Sequence, residues 1–107
     1  MFMMFPQKDP PIRGMVIEHF PAGDPLRVYR ALNDQGRGLP DGLRYLDSWV
    51  EAGFNRCFQI MECDDAALFH TWALHWAGCA VRPEITPILT SAETKAIVAP
   101  HLNAETR

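Results

Sequence analysis

Cysteine is scarce in this chain, and its three copies, Cys57, Cys63 and Cys79, make an odd number without a Cys-x-x-Cys pair. A disulfide framework is therefore not expected. On one strand Cys57 and Cys63 would lie about 20 Å apart, beyond any bridge. Reduced, buried thiols and a cytoplasmic setting are the natural expectation. Positive charge is also short, with 10 Lys and Arg against 13 Asp and Glu and a net charge of -3. That balance argues against nucleic acid as a partner, because phosphate binding needs a basic surface. Apolar runs never approach the roughly 18 residues of a spanning helix. Met1 to Phe5 is apolar but gives way to Pro6-Gln7-Lys8-Asp9, so neither a signal peptide nor a membrane association is expected.

Motifs of chemistry are equally sparse. There is no phosphate-binding glycine loop and no Gly-x-Ser-x-Gly elbow. His70 and His75 stand five apart, about 140° around a helix, and do not converge on a metal. The four histidines read as structural, and no cofactor is expected.

What is present is a hairpin. Residues 43–51 and 56–63 carry aromatic and β-branched residues with polar ones between them, and Ala52-Gly53-Phe54-Asn55 joins them. At 107 residues, 48% hydrophobic and 21% charged, the chain suits one domain with a modest core. Residues 1–13 hold three prolines and read as an irregular N-terminal extension. Gly14 to Phe20 reads as the first strand. Asp24-Pro25 opens a helix, Asp24 as N-cap and Pro25 where its missing N–H is harmless. Its inner stripe is Val28, Ala31, Leu32 and Gln35, and Gly36 stops it. Pro40-Asp41-Gly42 predicts a turn. After the hairpin, Asp64-Asp65 caps a second helix with a stripe of Phe69, Trp72, Ala73 and Trp76, ending at Gly78. Residues 81–89 form the last strand, whose Pro83 and Pro87 suit an edge. Thr90-Ser91-Ala92-Glu93 is a capping box for a short C-terminal helix stopping before Pro100.

The order β-α-β-β-α-β predicts an α+β domain over 14–107. Its form is a ferredoxin-like sandwich, with a four-stranded antiparallel sheet and two helices on one face. The first and third strands are central. Strand parity assigns Phe58 and Ile60, with Leu46 and Val50, to the helix-packed side. It assigns Glu18, Tyr45, Asp47, Trp49, Gln59 and Met61 to the open face, together with Val16, Phe20 and Cys57. Such a mixed face invites a second copy, giving a homodimer with a cavity between subunits.

Three stretches carry a resemblance: Met15-Val16-Ile17-Glu18-His19-Phe20, residues 39–50 around Pro-Asp-Gly-Leu-Arg-Tyr-Leu-Asp-Ser-Trp, and residues 56–65. They resemble the bacterial family called domain of unknown function 3303. The resemblance implies a ferredoxin-like, dimeric α/β-barrel type of domain and brings no catalytic residues.

Two functional readings follow from the open face. In one, it lines a small-molecule cavity with Glu18 as candidate acid or base, and Tyr45, Asp47, Trp49, Gln59 and Met61 shape the pocket. In the other, the partner subunit fills the face and the protein is a non-enzymatic dimerisation or interaction module. Glu18 is equally a carboxylate paired with Arg44, Arg56 or solvent. Trp49 is equally an interface anchor. Whether the protein is an enzyme does not follow from these residues.

Overall fold

A computed structural model of the chain describes residues 10–105. In order it contains β1 (Ile12–His19), α1 (Pro25–Gln35), β2 (Arg44–Val50), β3 (Arg56–Cys63), α2 (Ala67–Trp76), β4 (Arg82–Ile88) and α3 (Ser91–Glu105). The strands form one antiparallel sheet in the order β2-β3-β1-β4, so β1 and β3 are central and the proline-bearing β4 is an edge. The class is α+β. Residues 1–9 of the expected N-terminal extension lie outside the described residues. Ile12 and Arg13, expected to belong to it, are already paired in β1, against Cys63 and Glu62.

Local chemistry explains the element ends. The Asp24 side chain accepts from the Arg27 N–H at 3.2 Å, and Pro25 occupies the first turn of α1. Gly36, at φ +71, ends that helix. The Pro40-Asp41-Gly42 turn closes with the Leu43 N–H on the Pro40 carbonyl at 3.1 Å. Asp65 accepts from the Ala67 N–H at 2.9 Å as α2 begins. That helix stops at Trp76, two residues before the expected Gly78, and passes into a single 3-10 turn, Ala77–Cys79. The capping box is reciprocal. Glu93 takes the Thr90 N–H at 2.8 Å, and Thr90 Oγ1 takes the Glu93 N–H at 3.0 Å.

One expectation at the C-terminus is corrected, because α3 does not stop before Pro100 but runs through it. Residues Ser91 to Leu102 are all exposed, so the Ala96 carbonyl that loses its donor at Pro100 is available to water. Arg13 fastens the start of this helix to the sheet through Glu93, at 3.2 Å.

The core lies between the sheet and the layer of α1 and α2. Val16, Met61 and Cys63 on the strands meet Val28, Phe69, Trp72 and Trp76 on the helices, closed at the ends by Leu43 and Val81. Cross-strand register sorts the two faces. The inner rows are Val50-Cys57-Glu18-Pro83, Ser48-Gln59-Val16-Ile85 and Tyr45-Met61-Gly14-Pro87. The outer rows are Trp49-Phe58-Ile17-Glu84 and Asp47-Ile60-Met15-Thr86.

This sorting reverses the expected parity of β1 and β3. Val16, Glu18, Cys57, Gln59 and Met61 face the helices, while Phe58 and Ile60 face outward. The physical reason is where the apolar surface of the helices lies. Val28, Phe69, Trp72 and Trp76 bury Val16, Met61 and Cys63 completely, whereas Phe58 and Ile60 stay half-buried on the other face. In β2 the register slips between Tyr45 and Asp47, so Tyr45 shares the inner face with Ser48 and Val50 while Asp47 and Trp49 face out.

Gly14 is the tightest point of this packing. A Cβ there would sit 2.8 Å from Phe69 Cζ and 3.2 Å from its Cε1. Gly14→Ala is expected to cost about 1–3 kcal/mol by overpacking, read as a lower midpoint in urea with an unchanged slope. A midpoint at or above that of the parent protein would refute this account of the helix–sheet contact.

Candidate functional site

A cavity of about 180 Å³, partly open to solvent, lies between the inner sheet face and the two helices. Its floor is a cross-strand patch of Glu18, Cys57, Gln59, Ser48 and Val50. Val28, Tyr29 and Leu32 of α1 and the indoles of Trp72 and Trp76 form the roof, with Phe20 and Arg37 at the sides. The alternation of β1 and β3 delivers the polar groups. Residues two apart share a face, so Glu18 follows Val16 inward and Gln59 follows Cys57.

Glu18 is 6% exposed, although it carries an ionisable carboxyl. Burial pushes its pKa above the ordinary carboxylate range. A hydrogen bond with the Cys57 thiol and the charge of Arg37 act in the opposite direction, with smaller effect. The Cys57 thiol is pushed up to about 12, by burial first and then by the Glu18 charge beside it. Burial also raises the Tyr29 phenol, with further contributions from Cys57 and Glu18. Gln59 donates from its amide to Met61 Sδ at 3.1 Å. Ser48 and Tyr45 share a hydroxyl–hydroxyl bond of 2.6 Å.

The Arg37 wall is held in place from both sides. Its carbonyl accepts from Trp72 Nε1 at 3.1 Å and from Trp76 Nε1 at 2.9 Å. Its guanidinium carbon lies 3.6 Å from the centre of the Tyr45 ring. The next residue, Gly38, has φ +69, and a Cβ there would collide with His75 Cδ2. Any other residue would strain the backbone and displace the His75 ring.

Of the six residues singled out in the sequence, Glu18 and Gln59 line this cavity. Tyr45 and Met61 stand directly behind them, bonded to Ser48 and Gln59. Asp47 and Trp49 are on the outer face of the sheet. The six therefore do not gather on one open face. Arg37, Tyr29, Cys57 and Ser48 were not among them. Trp72 and Trp76 were read as core alone, yet their rings both fill the core and wall the cavity. Among the described residues no group of three or more His, Cys, Asp or Glu is placed to hold a metal ion. No described helix is long and apolar enough to cross a membrane.

The raised Glu18 pKa has a defined consequence for stability. The folded state holds this proton more tightly than the unfolded chain. Its favourable contribution is complete below the unperturbed value of 4.5 and is lost as pH rises through the higher native value. Glu18→Gln, which cannot ionise, should therefore gain stability relative to the parent as pH rises from 4.5, levelling once Glu18 is ionised in the native state. Paired urea titrations across pH measure this, and a difference independent of pH would show that the carboxyl is not desolvated.

Comparison with known proteins returns one finding. No curated protein and no solved structure matches the chain. Residues 15–102 match a family model, a span that runs from within β1 through β4 and into α3. This chain belongs to the family described as domain of unknown function (DUF3303).

Proposed function

We propose that the protein is a small-molecule-binding homodimer, a single ferredoxin-like domain of the dimeric α/β-barrel type preceded by an N-terminal extension. Its ligand cavity lies behind the sheet of each subunit rather than between subunits. The observation that carries the binding reading is Glu18, a buried carboxyl facing a partly open cavity walled by aromatic rings. Glu18 and Gln59 are the contact residues, and Tyr45 and Met61 support them. Glu18 is the candidate acid or base should the bound molecule react.

A different observation favours the dimer. Met15, Ile17, Phe58 and Ile60 form a contiguous apolar centre on the helix-free face, and Trp49 beside them is 54% exposed. Charges lie around this centre, already paired within the chain. Arg13 and Arg44 both bind Glu62, at 3.1 and 3.4 Å, His19 pairs with Glu84, and Arg56 pairs with Glu51 at 2.8 Å. An apolar centre inside a polar, largely paired rim suits burial against an identical surface. On this reading Asp47 and Trp49 belong to the interface, not to the ligand site. Three free thiols fit a reducing, cytoplasmic setting. Glu18 in the cavity and Asp47 on the outer face put negative charge where nucleic acid would need positive.

Native mass spectrometry of gently purified protein tests both parts. A dimer carrying extra mass on each subunit is expected. An empty dimer would favour the alternative, an interaction module without a ligand. Ile60→Arg, at the centre of the outer face, should yield monomers that keep the parent's circular dichroism. A wild-type monomer, or an undisturbed Ile60→Arg dimer, would refute the interface.

A further inference from the structure

The cavity has enough shape and polarity to specify the class of its occupant. Resting on the reading of the cavity as a ligand site, we propose that it takes a neutral one-ring molecule bearing a hydrogen-bond donor, of the phenol class.

Size sets the first limit. An apolar cavity of about 150 Å³ accommodates benzene. The 180 Å³ present here is a space that one ring with a substituent fills well. The walls set the second limit. Trp72, Trp76, Tyr29 and Phe20 present apolar rings, which suit a flat aromatic body.

Charge sets the third limit. The lining holds one acid, Glu18, and one guanidinium, Arg37, which act on each other electrostatically. With Glu18 ionised, their formal charges cancel. An ammonium ligand would add a second cation beside Arg37. A carboxylate ligand could use Arg37 as counter-ion only by taking that cation from Glu18. Either ion would be buried without a partner of its own.

Hydrogen bonding decides the polarity of the substituent. One N–H of the Gln59 amide is engaged with Met61, leaving the second N–H and the carbonyl oxygen to offer a ligand. The Cys57 thiol is engaged with Glu18. The Ser48 and Tyr45 hydroxyls bond each other. The Glu18 carboxyl and the Gln59 carbonyl are left as acceptors, and the second Gln59 N–H and the Arg37 guanidinium as donors. The complementary substituent donates to the first two and accepts from the others, as a ring hydroxyl does.

The test compares four probes of one size, phenol, toluene, benzoate and benzylamine, titrated into the whole protein. It is read by the Trp72 and Trp76 indole N–H resonances. Phenol should bind at least about tenfold more tightly than toluene, and more tightly than either ion. In Glu18→Leu, which removes the principal acceptor and leaves an apolar side chain in an apolar surround, the preference for phenol over toluene should shrink to within about threefold. Tighter binding of benzoate or benzylamine, or no preference for phenol over toluene, overturns the ligand class while the cavity remains a ligand site. Indole resonances that respond to none of the four overturn the ligand site itself. Should Glu18→Leu not fold, the ranking of probes on the unmodified protein still decides the class. A Glu18→Leu protein that keeps the full preference overturns the role given to Glu18.

Discussion

Two indole N–H groups on one carbonyl oxygen hold this structure together around its cavity. Trp72 and Trp76, one helical turn apart on α2, both donate to the backbone of Arg37. That carbonyl lies in the connection leaving α1, so the pair ties the second helix to the exit of the first. Each indole is almost wholly buried, and a buried N–H without a partner would cost about 1–3 kcal/mol. The arrangement therefore requires the loop to present its carbonyl there. Gly38 makes the required path possible under His75. The consequence reaches the site. Arg37 is fixed at the cavity wall, with its guanidinium spread on Tyr45 and its charge directed at Glu18.

The same helices dictate what the sheet can carry. Phe69, Trp72 and Trp76 bury one alternating set of strand residues, Gly14, Val16, Cys57, Met61 and Cys63 among them. The other set leaves Met15, Ile17, Phe58 and Ile60 on the outer face. One constraint thus produces both unusual features of the molecule. The inner face has room for a polar-floored cavity, and the outer face is more apolar than a solvated sheet should be.

Much of the architecture is legible in the sequence, and the reasons are local. Asp24-Pro25, Pro40-Asp41-Gly42 and the Thr90–Glu93 box each specify a backbone event within four residues, and all three occur. Pro83 and Pro87 mark β4 as an edge because a missing donor can be tolerated only there. Face assignment is less legible. In β1 and β3 both alternating sets contain apolar residues, so period two identifies a strand without saying which side is buried. Packing against Phe69, Trp72 and Trp76 decides it, and these lie 50 or more positions beyond the end of β1. The bulge between Tyr45 and Asp47 adds a second difficulty, since a single slip exchanges the faces of everything beyond it. Hence Glu18 and Gln59 were identifiable as candidates, but Asp47 and Trp49 could not be separated from them. Arg37 carries no periodic signal at all. Its role follows from two tryptophans that the helical stripe marks only as core.

The pairing of Glu18 with Cys57 determines what kind of chemistry the cavity can support. A thiol pushed up to about 12 stays an S–H donor at neutral pH and is a poor nucleophile. The carboxyl beside it moves in the same direction for the same reason, loss of water, but begins from a much lower value. Desolvation therefore brings the acid toward the pH at which protons are exchanged and takes the thiol away from it. In a space walled by aromatic rings, the group left able to donate or accept a proton is Glu18, with Cys57 and Gln59 acting as its hydrogen-bonding surround. On the proposed reading, a bound ring hydroxyl would share its proton with Glu18, and Arg37 would bias that sharing by favouring the ionised acid.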